Sequence, residues 1–394
     1  VYDVIVVGAR CAGAPTAMQF ARAGYRVLLL ERGRFPSDTL STHYLHLPAV
    51  RQLARWGLLD ELIATGCPPM RRTVYHAGDD IRMVGSAPAL DGHADAYAPR
   101  RHVLDTLLAR AAVRAGAELR ESCSVVGLVH EDDRVVGVRV REAGSATVHT
   151  ERAALVVGAD GMRSAVARHA GAETYVHDPL MTCAYYSYWE GVESDFELYE
   201  QPGRWVGALR THDATLAVAY FPQAEFRSVR ADAQRAYEQN IRETAPGLYE
   251  RLRAGRQVER LHGTGDQQNF FRRAQGPGWA LVGDAGHHKD SITARGITDA
   301  FLQAQLLVDQ VGDGLLDRPR LDEALRSYAA QRDVLLDPIY QGTVVVAQLR
   351  LQPDRMALLR LIQQDQELTD RYFATVAGVL SAEELYTPQL LAQL

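Results

Sequence analysis

Apolar residues fall along this chain in short blocks, never in one long run. Asp3–Val7 is a continuous, mostly β-branched block, which predicts a buried parallel strand because a strand covered on both faces has no polar side. A Gly/Ala-rich turn follows, and Ala14–Ala23 has helical character that stops at Gly24. Arg26–Leu30 predicts a second buried strand ending at Glu31, which completes one βαβ unit. Residues 34–47 have no period and predict a loop crossing the sheet edge. Ala49–Trp56 and Leu58–Ala64 predict two short helices broken at Gly57, and Arg101–Ala115 an amphipathic helix stopped by Gly116.

Strand-like alternation covers Arg72–Met83, and again Ser124–Val129 and Val135–Val140 on either side of the turn residues Asp132-Asp133-Arg134. Leu155–Gly158 is one more short apolar strand. From Val176 to Glu259 the character changes to aromatic-rich alternation, in Met181–Trp189, Asp195–Glu200, Arg204–Arg210 and Thr215–Phe221, followed by a polar helical stretch, Ala231–Thr244. Trp279–Val282 returns to the first pattern, and Thr298–Val311 and Leu321–Leu351 predict long helices. The expected fold is α/β: a Rossmann-like domain with an inserted antiparallel sheet and a helical C-terminal part. Residues 1–71, 99–175 and 266–315 are assigned to the first domain, 72–98 and 176–265 to the inserted sheet, and 316–394 to the C-terminal helices.

With 394 residues and 47% hydrophobic content the chain reads as globular. A net charge of −6 without a long basic run argues against a nucleic-acid partner, and no apolar run approaches the roughly 18 residues that suggest a membrane span. Cys11, Cys67, Cys123 and Cys183 form no C-x-x-C pair, and the H-x-x-x-H spacing is also missing, so no metal site is expected. Scattered thiols fit a reducing cytosol, and the strand starting at Val1–Tyr2 leaves no room for a signal peptide, so a cytoplasmic protein is expected. Lys289 is the only lysine, which nucleotide-composition bias accounts for; any role for it rests on where it sits.

The first chemical signal is the turn Gly8-Ala9-Arg10-Cys11-Ala12-Gly13-Ala14, which follows a strand and opens a helix. Gly8 permits the tight turn, Gly13 lets the helix pack on the sheet, and the helix N-terminus offers free N–H groups to a pyrophosphate. Glu31 stands about twenty residues on, where an acid accepts hydrogen bonds from ribose hydroxyls, with Arg32 beside it. The middle glycine of G-x-G-x-x-G is Arg10, whose guanidinium would instead lie along the phosphates. Two more buried strands end in Gly/Asp turns: Leu155–Gly158 runs into Asp160-Gly161, and Trp279–Val282 into Gly283-Asp284-Ala285-Gly286, continuing to Gly296-Ile297.

These three segments in this order resemble the FAD-dependent monooxygenases of the aromatic-hydroxylase type, also called group A flavoprotein monooxygenases, and equally the geranylgeranyl-reductase-like oxidoreductases. The resemblance covers residues 1 to about 345. It implies FAD as cofactor, with Glu31 on the adenosine ribose, Arg101 near the pyrophosphate and Asp160 and Gly161 linked to FAD and to NAD(P)H use. It also implies Asp284 on the ribityl chain and the helix at Gly296–Ile297 facing the flavin pyrimidine ring. Val125 is included among the FAD contacts. A proline is common in the family where Ser291 stands, and the usual G-x-G before the last helix is Ala294-Arg295-Gly296. The W-x-W-x-x-P signature of related halogenases is absent, which disfavours halogenation.

The leading expectation is an NAD(P)H- and O2-dependent monooxygenase that hydroxylates or epoxidises an electron-rich, aromatic or polyketide-like small molecule through a flavin C4a-hydroperoxide. The alternative is a flavin-dependent reductase of carbon–carbon double bonds, and a third reading is a non-catalytic FAD-binding scaffold or sensor. Candidate catalytic residues are His43, Lys289 and Ser291. His43 would orient or deprotonate a phenol, or else be a satisfied loop histidine. Lys289 would stabilise reduced flavin or bind a carboxylate, or else be a solvated loop charge. Tyr186, Tyr188, Trp205 and Phe221 on the inserted sheet would bind a planar apolar substrate, the alternative for each being core packing. Beyond substrate and O2, the partner expected is at most a second copy of the chain: a monomer or homodimer.

Overall fold

The computed structural model describes residues 1–392. Its first unit is β1 (Val4–Val7), α1 (Gly13–Arg22) and β2 (Val27–Leu30), with both strands wholly buried and paired in parallel. α2 (Leu47–Arg55) and α3 (Leu59–Ala64) follow. The alternating run at 72–83 resolves into two strands, β3 (Thr73–Ala77) and β4 (Ile81–Gly85), because Gly78-Asp79-Asp80 supply a turn inside it. α4 (Arg101–Arg114) packs against α1, and β5 (Glu118–Arg120) adds to the edge of the sheet beside β2. β5 carries no apolar pattern because an edge strand of three residues has little to bury.

The hairpin of β6 (Cys123–Glu131) and β7 (Arg134–Glu142) turns at Asp132 and continues into β8 (Val148–Arg152), whose exposure left no apolar signal to read. β9 (Leu155–Gly158) returns to pair in parallel with β1. After α5 (Ala165–His169) and β10 (Thr174–Asp178) come the strands of the large sheet: β11 (Thr182–Glu190), β12 (Phe196–Gln201), β13 (Arg204–Arg210) and β14 (Thr215–Pro222). The polar helical stretch divides into α6 (Phe226–Ala231), α7 (Ala233–Thr244) and α8 (Pro246–Ala254), with Pro246 starting the last because proline suits a first helical turn. Short strands β15 (Arg256–Gln257), β16 (His262–Thr264), β17 (Asn269–Arg272) and β18 (Gln275–Gly276) lead to β19 (Trp279–Leu281), and β20 (His287–His288) pairs with β17. The chain ends in α9 (Gly296–Val311), α10 (Arg318–Ala347) and four shorter helices, α11 (Pro353–Ile362), α12 (Gln366–Val376), α13 (Ala382–Leu385) and α14 (Pro388–Leu391).

The architecture is the expected one: a mostly parallel sheet in the order β18-β19-β9-β1-β2-β5, a large mixed sheet in the order β15-β11-β14-β13-β12-β3-β4, and helices at the C-terminal end. The large sheet is antiparallel except where β3 joins β12 in parallel. Both of its faces are covered. Cys183, Tyr185 and Phe221 pack against Tyr237, Ile241 and Leu248 of α7 and α8. Tyr186, Tyr188, Trp205 and Tyr220 share the opposite face with Met356, Leu359, Ile362 and Phe373 from α11 and α12. Burying one such large side chain contributes about 1.5–3 kcal/mol, so the C-terminal helices are part of this core. An ion pair to a buried carboxylate anchors them: both Arg355 terminal nitrogens donate to Glu200 at 2.9 Å, and Tyr75 donates to the same carboxylate at 2.5 Å.

Candidate active site

The strands that carry the first glycine turn and the two Gly/Asp turns lie side by side, in the order β19-β9-β1. Because they are parallel, their carboxyl ends open at one edge. A cavity of about 510 Å³ lies there, in the size range of small-molecule and cofactor sites. Gly8, Arg10 and Ala12 line it from the first turn, then Glu31, Arg32, Arg101 and Val125. Asp160 and Gly161 come from the second turn, Asp284 from the third, and Gly296 and Ile297 from the start of α9. Ala9, Gly13, Ala14, Gly283 and Gly286, also expected to touch the cofactor, do not line the cavity.

Sterics explain the glycines of the first turn. Gly8 has φ +95°, and a Cβ there would sit 2.4 Å from the Ala159 carbonyl oxygen. A Cβ on Gly13 would lie 1.7 Å from the Gly8 carbonyl oxygen, so no side chain is admitted. Glu31 is buried, and its oxygens accept the Ala9 N–H at 2.9 Å and the Gly33 N–H at 2.8 Å, so the acid holds the turn in place as well as lining the cavity. Arg10 donates to one oxygen of Asp105 at 2.8 Å and Arg101 to the other at 3.0 Å, while the Cys11 thiol donates to the second oxygen at 3.1 Å. Asp105 is fully buried. Two guanidiniums on one carboxylate leave a positive excess beside the N-terminus of α1, which suits a diphosphate. Asp105 was not singled out from sequence, although its spacing of four residues from Arg101 on one helix is a readable signal.

In the second turn, Asp160 accepts from the Ser164 hydroxyl at 2.5 Å and the Ala165 N–H at 2.6 Å, fixing the start of α5, and burial pushes its carboxyl above the ordinary range. In the third, the Gly283 N–H donates to Gln303 at 3.0 Å, and the half-exposed Asp284 lies 4.0 Å from His288. Gly286 is backed by Arg332, which donates to its carbonyl at 3.3 Å.

Side chains from distant segments build the other end of the cavity. Lys289 is only 7% exposed and is ion-paired with Asp299, so it is not a solvated loop charge. Ser291 donates its hydroxyl to Gln267 and lies 2.9 Å from the Tyr220 hydroxyl. His43 is fully buried with φ +62°, and its Nε2 is 2.5 Å from the Tyr188 hydroxyl. Burial pushes His43 down to about 3, so it is neutral near pH 7. His43 does not line the cavity, although its loop neighbours Ser41 and Thr42 do. Tyr186 accepts the Ser41 N–H at 3.3 Å, and the Arg100 guanidinium lies 3.7 Å from the centre of the Tyr188 ring. Tyr186, Tyr188, Trp205 and Phe221 also lie outside the cavity wall. The first three share one face of the large sheet, closed by α11 and α12, and Phe221 points to the opposite face.

The FAD binding domain family matches residues 1–333. The chain belongs to that family. It is an FAD-dependent oxidoreductase, as the motifs led us to expect. It is 27% identical over 343 residues to a digeranylgeranylglycerophospholipid reductase of Methanosarcina acetivorans, covering 82% of this chain and 79% of that protein. A protein of the same name from Methanocella arvoryzae is 26% identical over 362 residues, 88% of each chain. Among solved structures, the myxobacterial chondrochloren halogenase CndH superposes with a TM-score of 0.80 at 22% identity, over 100% of this chain and 96% of that one. A geranylgeranyl bacteriochlorophyll reductase-like protein of Thermoplasma acidophilum gives 0.74 at 17% identity, over 100% and 95%. Identities this low establish a shared fold.

The residues present fit FAD. The cavity runs from Glu31 and the glycine turn to the N-terminus of α9. Two buried polar atoms on its wall, Asp299 Oδ1 and Gln303 Nε2, have no hydrogen-bond partner among the described residues. Such groups are costly unless a polar ligand meets them. Among the described residues there is no His/Cys/Asp/Glu group suited to a metal ion, and no helix long and apolar enough to cross a membrane.

Proposed function

We propose that this FAD-dependent oxidoreductase reduces carbon–carbon double bonds of an apolar, isoprenoid-type substrate. The observation that carries the reading is its similarity, over most of both chains, to proteins named as digeranylgeranylglycerophospholipid reductases. FAD is assigned to the glycine turn and Arg10 for its pyrophosphate, Glu31 for its ribose, Asp284 for its ribityl chain and the Gly296–Ile297 amides for its pyrimidine edge. Reduced FAD supplies the hydride that such a reaction needs.

The protein must supply the accompanying proton. Burial raises the Tyr188 phenol well above its ordinary range, so it keeps its proton. With Tyr188 donating to Nε2, the neutral His43 carries its own proton on Nδ1, which has no acceptor among the described residues. Neither residue lines the cavity, so we assign this pair to fixing the loop at Ser41 and Thr42 on its wall, and proton delivery to a hydroxyl that does line it, that of Ser291. Ser291, held by Gln267 and Tyr220, is also assigned to orienting the substrate, and NAD(P)H is the proposed electron source.

One observation favours a second reading. The Ser291 hydroxyl lines the cavity, backed by the Tyr220 hydroxyl at 2.9 Å, and a hydrogen-bonding group suits a phenolic substrate better than a hydrocarbon tail. Under that reading the enzyme uses O2 and inserts oxygen. The test is to reduce the holo-protein anaerobically, with NADPH or with dithionite, and add a geranylgeranyl lipid. A product heavier by two hydrogens supports the reductase. No turnover without O2, with a phenol gaining one oxygen in air, overturns it.

A further inference from the structure

Arg10 stands where the dinucleotide fingerprint has its middle glycine, yet its backbone does not call for one, since its φ is not positive. What sets this position apart is therefore the side chain. Nη1 donates to Asp105 at 2.8 Å and to the Ser37 carbonyl at 3.3 Å, and Nη2 donates to the Ser37 hydroxyl at 2.9 Å. The guanidinium carbon also lies 5.8 Å from the centre of the Phe35 ring. Arg10 thus reaches from the glycine turn to the loop after β2.

That loop has no backbone ladder. Among the described residues, no backbone–backbone hydrogen bond involves residues 34–42. Side chains hold it instead: Glu121 accepts the Phe35 N–H at 2.7 Å, Tyr186 accepts the Ser41 N–H at 3.3 Å, and Arg100 and His102 stand 3.4 and 3.5 Å from Asp38. Each such contact contributes about 0.5–1.5 kcal/mol, so the loop opens at low cost. Of these clasps, that of Arg10 starts at the glycine turn. Thr39, Leu40, Ser41 and Thr42 line the cavity, as Arg10 does, whereas Phe35, Pro36, Ser37 and Asp38 do not.

The Arg10 side chain is 27% exposed. A guanidinium side chain carries about 2 kcal/mol of rotamer entropy, and a clasp in contact with water recovers little of it. The fork keeps N–H donors for a phosphate, and a fork already fixed by one partner holds a second at less cost. We propose that Arg10 is a positioning residue that couples the diphosphate of FAD to the cavity-wall loop, so that seating the cofactor closes residues 37–42 through Ser37. By linkage, the closed loop tightens FAD binding by the same factor. The proposal rests on the diphosphate lying at the glycine turn and Arg10, and not on which substrate is transformed.

Hydrogen exchange resolved to single amides tests it, comparing apo-protein with the same protein after FAD is added. The informative amides are those of Ser37 and Asp38, because neither residue lines the cavity and FAD does not shield them directly. In the wild type FAD should slow both at least about fivefold. A merely structural clasp would hold the loop equally with and without FAD. Arg10→Gly restores the fingerprint glycine and should load FAD, with the two amides changed by less than about twofold. If it fails to load, Ser37→Ala carries the test, with a smaller slowing at Asp38 than in the wild type. Full slowing in a loaded Arg10→Gly protein, or in Ser37→Ala where that variant carries the test, overturns the proposal. Slowing in the wild type confined to residues 8–13 overturns the coupling and leaves the diphosphate placement standing, whereas slowing at neither place overturns both. Normal coupling without double-bond reduction fails the reductase reading alone.

Discussion

The two ends of the cavity are built differently. At the β1–α1 end the backbone does the work: a tight turn, a helix N-terminus and one acid, Glu31, all fall within one βαβ unit. At the α9 end the work falls to groups far apart in sequence, such as Ser41 with Tyr186 and Ser291 with Tyr220. Under the proposed assignment the first end takes a common feature of nucleotides, a diphosphate on a ribose, for which a local motif suffices, and the second, which would shape chemistry around one substrate, draws on the loop after β2, the large sheet and the segment before α9. Changes at the first end should remove the cofactor, whereas changes at the second should leave it bound and alter what it does.

The largest effect is expected from Gly13→Val. The new side chain collides with the Gly8 carbonyl, so the purified protein should contain no FAD and lose about 3 kcal/mol or more of stability in a denaturant titration. Normal FAD content would break the comparison at once. Next is Asp105→Ala, which leaves Arg10 and Arg101 without their shared carboxylate. Titrating apo-protein with FAD should show affinity reduced about tenfold or more, with stability lowered by roughly 3–5 kcal/mol.

His43→Gln should keep FAD and change the pH profile. The histidine falls from 6.5 to about 3 on folding, so the unfolded chain binds its proton first as pH drops. Its contribution is present in full above pH 6.5 and is lost progressively between 6.5 and 3, at up to roughly 1.4 kcal/mol per pH unit. The variant should therefore resist acid better than the wild type, measured as a flatter curve of stability against pH over that range. An unchanged acid limb would show that His43 is not held neutral by burial. The smallest effect is expected from Tyr220→Phe, which loses the contact with Ser291. It should cost about 0.5–1.5 kcal/mol and leave FAD affinity unaltered.

Much of this was legible in the chain itself. The β-branched blocks at Val4–Val7 and Leu155–Gly158 announced buried parallel strands, and the turns after them announced a nucleotide site, because local sterics and short-range pattern decide such features. Alternation in the aromatic-rich segments announced the strands of the large sheet, although the sequence grouped Phe221 with Tyr186, Tyr188 and Trp205 and the structure sets it on the opposite face. It could not show what each face meets. The Tyr186 face packs against helices starting more than 150 residues later, closed by Arg355 on Glu200, and α11 and α12 carry no signal naming that destination.

What sequence determined by itself is the outline of the cofactor half: the strand–turn–helix unit and the glycines that no side chain can replace. Each depends on interactions within a few residues, or on a strand order that parallel pairing constrains. Tertiary structure alone decided the reacting half. It buried Lys289 against Asp299 and set Ser291 beside Tyr220, and at the cofactor end it joined Arg10 and Arg101 on Asp105. The reason is physical: burial and charge balance belong to the packed assembly of segments, and no single segment contains them.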